Sequence, residues 1–323
     1  MRKSIIHYSI LLAIVIVVNF FIPRMLPGSP VGTIIGGENA GDMTAAEKMG
    51  ILEAYDLDKP LYEQFGIYIK NLFTLNWGDS FSKRQPITEL IGSSIGWTLL
   101  LAGANLFFST LIGTILGAIS ALRRKKKQDL PIVLGTTLVS SVPSFWVAIL
   151  LVAVFGVQLG WFPIYGAYSM WENYTGMQAV WDVIVHMTLP VVAMVLTSLM
   201  TFFTTSRFSV LSVISQDYVR MAKIRGVPSH RIHIFYIMRN TLIPIFTVVM
   251  MDVGMLLSGS VLIETVFAYP GLGTLMHEAV SARDYPLIQY TFLLSSALTI
   301  VALFLADILY KKIDPMMEVA HEQ

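Results

Sequence analysis

Residues 92–96, Gly-Ser-Ser-Ile-Gly, have the Gly-x-Ser-x-Gly spacing that in a hydrolase lifts a serine on a tight strand-to-helix turn beside a histidine and an acid. Here the motif stands at the mouth of a long apolar run, so the context a nucleophile needs is missing. His230 and His233 are three apart and can face one ion, but no acidic ligand accompanies them, which favours a surface or interface role. His277 and Glu278 do not extend into a zinc-binding helix pattern, and no Gly-Lys dipeptide exists to build a phosphate-binding P-loop. The chain has no cysteine, which excludes disulfides and thiolate metal sites. Two charged features remain to be explained: a lone Asp252 in an apolar run, and a basic island at residues 215–231, SQDYVRMAKIRGVPSHR.

The surroundings of both are set by composition. Of 323 residues, 55% are hydrophobic and only 13% charged, with a mean hydropathy of +0.67. Soluble domains carry about 25% charged residues, so this is a membrane protein. A net charge of +1 gives no electrostatic basis for a nucleic-acid partner. Six runs are long and apolar enough to span a bilayer core as helices: 5–22, 96–122, 131–157, 183–204, 242–262 and 288–309. They do not alternate as barrel strands would, so the expected class is an all-α membrane protein with six transmembrane helices. The division expected is a first helix at 1–22, an external segment at 23–95, a five-helix core at 96–311 and a cytoplasmic tail at 312–323.

Lys and Arg orient the spans. Arg2 and Lys3 precede the first, Arg123 to Lys127 follow the second, six more lie between spans four and five, and Lys311 and Lys312 close the sixth. The short loop after span three has none. The basic side is therefore expected in the cytoplasm, with both termini inside. Trp77, Trp97, Trp161, Trp171 and Trp181 then fall on or near the outer side, as an interfacial belt does. The first run lacks a small-residue cleavage site and reads as a retained span. The basic run at 123–127 is a topology signal that can also meet anionic lipid.

The island falls in the loop between spans four and five. Asp217 is a suitable N-cap, and residues 218–225 can form about two helical turns. Lys223 and Arg225 lie where the helix dipole favours cations. Gly226 is expected to take a left-handed cap conformation, Pro228 prevents continuation, and Ser229 can cap a second helical segment leading into span five. Asp252 falls in the middle of span five, where an ionised side chain facing lipid costs at least about 3 kcal/mol. It must line a path, face a partner group or bond across a helix interface. Gly113 with Gly117 and Gly254 with Ser258 are small-xxx-small pairs suited to close helix packing, and Pro143 and Pro190 are expected to kink spans three and four.

QDYVRMAKIRG followed by RNTLIPI resembles the cytoplasmic motif of ABC-importer permeases, the loop that docks on the ATPase subunit. The general pattern is Glu-Ala-Ala, three residues, Gly, then a downstream Leu-Pro. Ala222 and Gly226 keep that register, whereas Arg220 and Met221 replace the Glu and the first Ala, and Pro244 lies further downstream. These departures are similar to the dipeptide, oligopeptide and nickel branch, where Asp-Tyr-Val-Arg opens the motif. LPGSP at 26–30, YDLDKPLYEQFGIYIKNLFTLNWGDS, LGWFPIYG at 159–166, ETVFAYPGLG at 264–273 and ARDYPLIQ at 282–289 resemble further motifs of that branch in the same order.

The resemblance implies a type I ABC importer permease fold, most like the first of two unlike oligopeptide permease subunits. Its implied partners are a second permease, two ABC ATPase subunits that carry ATP and magnesium, an external peptide-binding protein and membrane lipid. The chain itself would bind no cofactor and catalyse no bond chemistry. The ATPase-coupling residues it implies are Asp217, Tyr218, Val219, Arg220, Ala222, Arg225 and Gly226, with Asp252 as a candidate on the translocation path. The implied cargo is oligopeptide, with dipeptide or nickel as alternatives. An ion-coupled secondary transporter is a further alternative, opposed by the lack of a matching pair of discontinuous spans. In the external segment, apolar spacing at Leu61, Phe65, Tyr68, Ile69 and Leu72 predicts an ordered amphipathic helix. The preceding GGENAGDMTAAEK is Gly-rich and polar, expected to be mobile enough to reach a docked binding protein, the alternative being that the external segment is a passive cover over the pore.

Overall fold

The computed structural model describes residues 2–25, 44–54, 58–124, 129–255 and 261–313. The LPGSP motif, residues 36–42, Lys125 to Gln128 and Ser258 lie outside the described residues. Among the described residues the regular elements are helical, apart from one isolated antiparallel bridge between Asp79 and Pro86.

In chain order the helices are α1 (Arg2–Met25), α2 (Ala45–Ala54), α3 (Leu61–Thr74), α4 (Ile87–Leu122), α5 (Asp129–Ser140), α6 (Ser144–Leu151) and α7 (Met177–Ile214). They continue with α8 (Asp217–Ile224), α9 (Ser229–Arg231), α10 (Arg239–Met255), α11 (Val261–Val266), α12 (Leu272–Ser281) and α13 (Tyr285–Ile313). Helix α6 runs into a π-helical stretch at Val152–Gln158, and a second at Ile232–Met238 joins α9 to α10. Among the described residues five helical stretches are long and apolar enough to cross a membrane, and α5 with α6 and its π-helical continuation makes a sixth if the bent pair is one span. Large exposed apolar side chains such as Ile10, Phe107, Leu138 and Trp146 suit contact with lipid or with partner helices.

Several boundaries depart from the sequence reading. The second span's helix begins at Ile87, not Gly96, and the fourth runs over 38 residues, Met177–Ile214, past both ends of the expected run. The third span is not a kinked rod but two arms meeting at 95°. Pro143 sits at the break with φ −56° and ψ 141°. It has no N–H to donate and disfavours the helical conformation at Val142, so the ladder stops and restarts. Pro190, by contrast, lies inside an uninterrupted α7. The fifth span begins at Ser229 without a separate preceding segment, because the π-helical turn carries the helix straight into α10.

The chain divides into two compact units. Of the described residues, the first comprises 99–124, 129–255, 261–269 and 301–313, the second 2–25, 44–54, 58–98 and 270–300. In the first, α4 and α7 pack so closely that side chains have no room between them. A Cβ on Gly113 would lie 2.6 Å from Phe202 Cβ, and one on Gly117 would lie 2.4 Å from the Phe203 carbonyl oxygen. Ser206 Oγ donates to the Thr114 carbonyl at 2.8 Å across the same contact. The small-xxx-small pair therefore serves packing within the chain. The LGWFPIYG and ETVFAYPGLG motifs also meet here, Gly166 N–H donating to the Phe267 carbonyl at 2.8 Å. Phe267 and Tyr269 are fully buried. Burial, and secondarily the neighbouring Glu264, push the Tyr269 phenol above its ordinary value.

A second apolar cluster holds the other unit. Phe20 of α1, Tyr68 of α3, Ile87 and Ile91 of α4, and Leu272, Leu287 and Ile288 all join it, with Phe65, Ile69 and Leu72 packed alongside. The predicted amphipathic helix α3 is thus ordered, although Leu61 at its start is exposed. Trp77 stacks on Tyr290 at 4.9 Å, and buried Asn19 donates to the Gln289 carbonyl at 2.5 Å. The end of GGENAGDMTAAEK is helical, as part of α2, where a mobile segment was expected.

Candidate functional site

The island folds as α8, an eight-residue helix at Asp217–Ile224. Its N-cap is Gln216 in an extended conformation, and Asp217 occupies the first helical position. The cap expected at Asp217 falls one residue earlier, on Gln216, and no side chain bonds the free N–H groups there; the Asp217 carboxylate still stands at the positive end of the helix dipole. At the other end the chain leaves through a Schellman turn. Gly226 N–H donates to the Lys223 carbonyl and Val227 N–H to the Ala222 carbonyl, both at 3.1 Å. Gly226 has φ +75°, the left-handed conformation that glycine takes without steric cost. Pro228 then precedes α9 as its N-cap residue, in place of the Ser229 cap expected from sequence.

Two residues seat this helix. Val219 is fully buried and Ala222 is 5% exposed. They join a cluster with Ala118 and Ala121 of α4, Val210 of α7, and Ile232 and Ile237 of the π-helical stretch. The spacing of three between Val219 and Ala222 puts them on one helix face, so the small Ala222 lets α8 approach the ends of two long helices. The remaining face is open. Tyr218, Met221 and Ile224 are 43%, 48% and 70% exposed, flanked by exposed Arg220, Lys223 and Arg225. An exposed apolar strip rimmed by cations on so short a helix is suited to contact a second protein.

A polar clip fixes the helix's orientation. Asn240 Nδ2 donates to Tyr218 Oη at 3.0 Å and to the Tyr236 carbonyl at 2.8 Å. The sequence singles out Tyr218 but carries Asn240 only inside the RNTLIPI motif, where it is the second residue of α10. It does not single out the five anchoring residues outside the island either. Their hydrophobicity carries no special mark in an apolar chain, and only the fold brings them together.

Asp252 does not belong to this arrangement. It lies 12 residues beyond Asn240, about 18 Å along the helix, and is partly exposed near Met255, where the described part of α10 ends. The serines of the Gly-Ser-Ser-Ile-Gly motif sit inside helix α4, with Ser93 and Ser94 hydroxyls both donating to the Leu90 carbonyl at 2.9 Å. No strand-to-helix elbow is formed there. His230 and His233 are both exposed.

A second polar group braces the helices that carry the island. Arg207 of α7 makes a two-pronged contact with Asp129 at the start of α5, and its Nη1 also donates to Ser120 Oγ. Ser120 Oγ in turn donates to Asp129 Oδ1 at 2.5 Å. Arg207 and Asp129 side chains are 20% and 14% exposed. The three residues come from α4, α5 and α7, so one cluster links three spans.

Comparison with known proteins agrees with this architecture. The family model described as binding-protein-dependent transport system inner membrane component matches residues 113–319. The chain is 33% identical over 315 residues to the di/tripeptide transport system permease protein of Pseudomonas aeruginosa, covering 93% of each chain. It is 30% identical over 318 residues, 98% of each, to the oligopeptide transport system permease protein of Bacillus subtilis. A glutathione transport system permease protein of Salmonella typhimurium is 35% identical over 307 residues, 94% of each. With a helical core that can cross the membrane up to six times and a family match over most of its length, this chain belongs to the inner membrane components of binding-protein-dependent transport systems.

Proposed function

We propose that the chain is one of two unlike permease subunits of an ATP-driven importer that carries oligopeptides across the cell membrane, with dipeptides or nickel as alternative cargo. An external binding protein delivers the cargo, and two partner ATPase subunits bind ATP and magnesium. The basic loops and both termini face the cytoplasm, following the distribution of Lys and Arg. The peptide permeases among the relatives support the cargo assignment.

One observation carries the coupling role: α8 buries Val219 and Ala222 against the ends of α4 and α7 while exposing Met221 and Ile224. A helix seated this way passes a push from its open face directly to two spans. Asp217, Tyr218, Arg220, Arg225 and Gly226 shape that face and its exit turn. Asp252 remains a candidate lining residue of the peptide path. Ile224→Asp tests the reading, because that side chain makes little contact with its own fold. The variant should insert into the membrane in normal amount but lose co-purifying ATPase subunits and peptide uptake. Wild-type uptake with both ATPases retained would refute the assignment of this face.

A further inference from the structure

We propose that a cavity beside α8 binds the phosphate headgroup of an anionic phospholipid. The cavity, of about 220 Å³, is lined by Arg124, Lys223 and His233. Its floor is apolar, formed by Ala121, Leu122, Ile214 and Ile237. Among the described residues none of the three basic side chains has an acidic partner. Two permanently charged side chains and a ring N–H donor lining one hollow favour an anion, and guanidinium and ammonium groups are suited to a phosphate.

The position of the cavity selects a lipid as the source of that phosphate. Leu122 ends the apolar run of α4, and Arg123 and Arg124 follow at once, so the polar edge of the bilayer lies at this level. Ile214 closes α7, and His233 and Ile237 lie on the first turns of the fifth span, so three spans end around the same hollow. Beside His233 in sequence, Ile234 and Phe235 are 56% and 62% exposed, apolar surface on which acyl chains can lie. Basic pockets between spans at a membrane surface hold anionic headgroups in this way. Because Lys223 belongs to α8, a bound lipid ties that helix to the ends of the spans. Lys223 also rims the open face proposed for the ATPase, whereas Arg124 and His233 lie outside that face, so the two readings share one side chain and are told apart by the lipid response itself.

The test uses the purified full-length chain in neutral detergent, following its thermal unfolding midpoint as phosphatidylglycerol, phosphatidylcholine or inorganic phosphate is added. Phosphatidylglycerol should raise the midpoint saturably, and the other two should not. The Arg124→Gln/Lys223→Gln double variant should weaken the apparent affinity by about tenfold or more. A charge-matched Arg231→Gln/Arg239→Gln variant should respond as wild type does. Arg124→Lys/Lys223→Arg should restore the response, which separates lost charge from lost folding. An equal effect of phosphatidylcholine, or of phosphate alone, overturns the lipid assignment, as does an equal loss in the control variant. Absence of any phosphatidylglycerol response overturns the proposal, and release of co-purifying partner subunits from the importer by the double variant would then assign the cavity to an acidic partner.

Discussion

Ser80 Oγ donates to Asp284 Oδ2 at 2.6 Å, joining residues 204 positions apart, both almost completely buried. The same carboxylate oxygen accepts from Ser82 N–H and Ser82 Oγ, each at 2.9 Å. Its other oxygen accepts from Leu287 N–H at 3.2 Å and so caps α13. The backbone delivers Asp284 to this place through Arg283, whose φ of +54° closes a Schellman turn after α12. One side chain thereby starts a membrane helix and holds the loop that leads into α4.

Removal of that carboxylate should be costly. Hydrogen bonds to a charged group contribute about 1.5–3 kcal/mol each, and loss of an N-cap costs about 1 kcal/mol. Asp284→Ala leaves the buried Ser80 hydroxyl without its acceptor and removes the cap of α13, while exposed Ser82 can turn to water, so we expect a loss of about 2–4 kcal/mol. Ser80→Ala should cost about 1–2 kcal/mol, and the double variant less than the sum. Thermal unfolding of the three variants in detergent measures this cycle. Strict additivity would show that the contact carries no coupling.

The contrast between this contact and the island explains what sequence reading could reach. Gly226 was legible because a left-handed turn leaves a local mark: a glycine just after basic residues and just before Val-Pro. Val219 and Ala222 were legible only through a family pattern, since three-residue spacing alone does not say which neighbours they meet. Ser80 and Asp284 lie in two quoted motifs, yet nothing local links them. The same holds for Arg207 and Asp129, which are 78 residues apart. Pro143 announced a break in the third span, but a proline fixes only its own φ, and the 95° turn depends on what each arm packs against. Pro190 carries the same local mark and leaves α7 uninterrupted. Proline therefore marks where a helix can break, and tertiary packing decides whether it does.

The glycines of α4 give a second prediction with an internal control. A Cβ at position 117 would meet the Phe203 carbonyl oxygen at 2.4 Å and Ser206 Cβ at 2.8 Å, whereas one at Gly103 meets nothing within 4 Å. Backbone cannot retreat as a flexible side chain can. Gly117→Ala should therefore lower stability by about 1–3 kcal/mol through overpacking. Gly103→Ala should be neutral or stabilising by up to about 1 kcal/mol, because alanine is the better helix former. Unfolding midpoints in the same detergent compare the two directly. If Gly117→Ala matched Gly103→Ala, the close contact of α4 with α7 would be wrong.

At Gly226 the cost should come from the backbone alone, since an added Cβ meets nothing within 4 Å. With φ at +75°, the left-handed conformation costs an ordinary residue about 1–2 kcal/mol, less for asparagine and more for a β-branched side chain. The expected order of loss is Asn, then Ala, then Val. Co-purification of ATPase subunits should fall in that same order, because the turn aims α8. Loss of the partners that is equal in all three variants would point to a contact made by the glycine itself, not to its conformation.

The last prediction concerns Arg207, Asp129 and Ser120. Both charged side chains are mostly buried, so each depends on the other for the solvation it has lost. Removing one partner leaves the other charged and unpaired, and Arg207→Gln should destabilise the chain by about 3 kcal/mol or more. Arg207→Lys should recover only part of this loss, because an ammonium cannot reproduce the two-pronged contact with both carboxylate oxygens. The informative variant is Arg207→Leu combined with Asp129→Leu. A buried ion pair replaced by apolar groups is often neutral in stability, so the double variant should unfold near the wild-type temperature while either single change lowers it. If the double variant falls as far as the singles, Ser120 and the geometry of the charge pair are needed to hold α4, α5 and α7 in place. If neither single change lowers the midpoint, the cluster is not a brace at all.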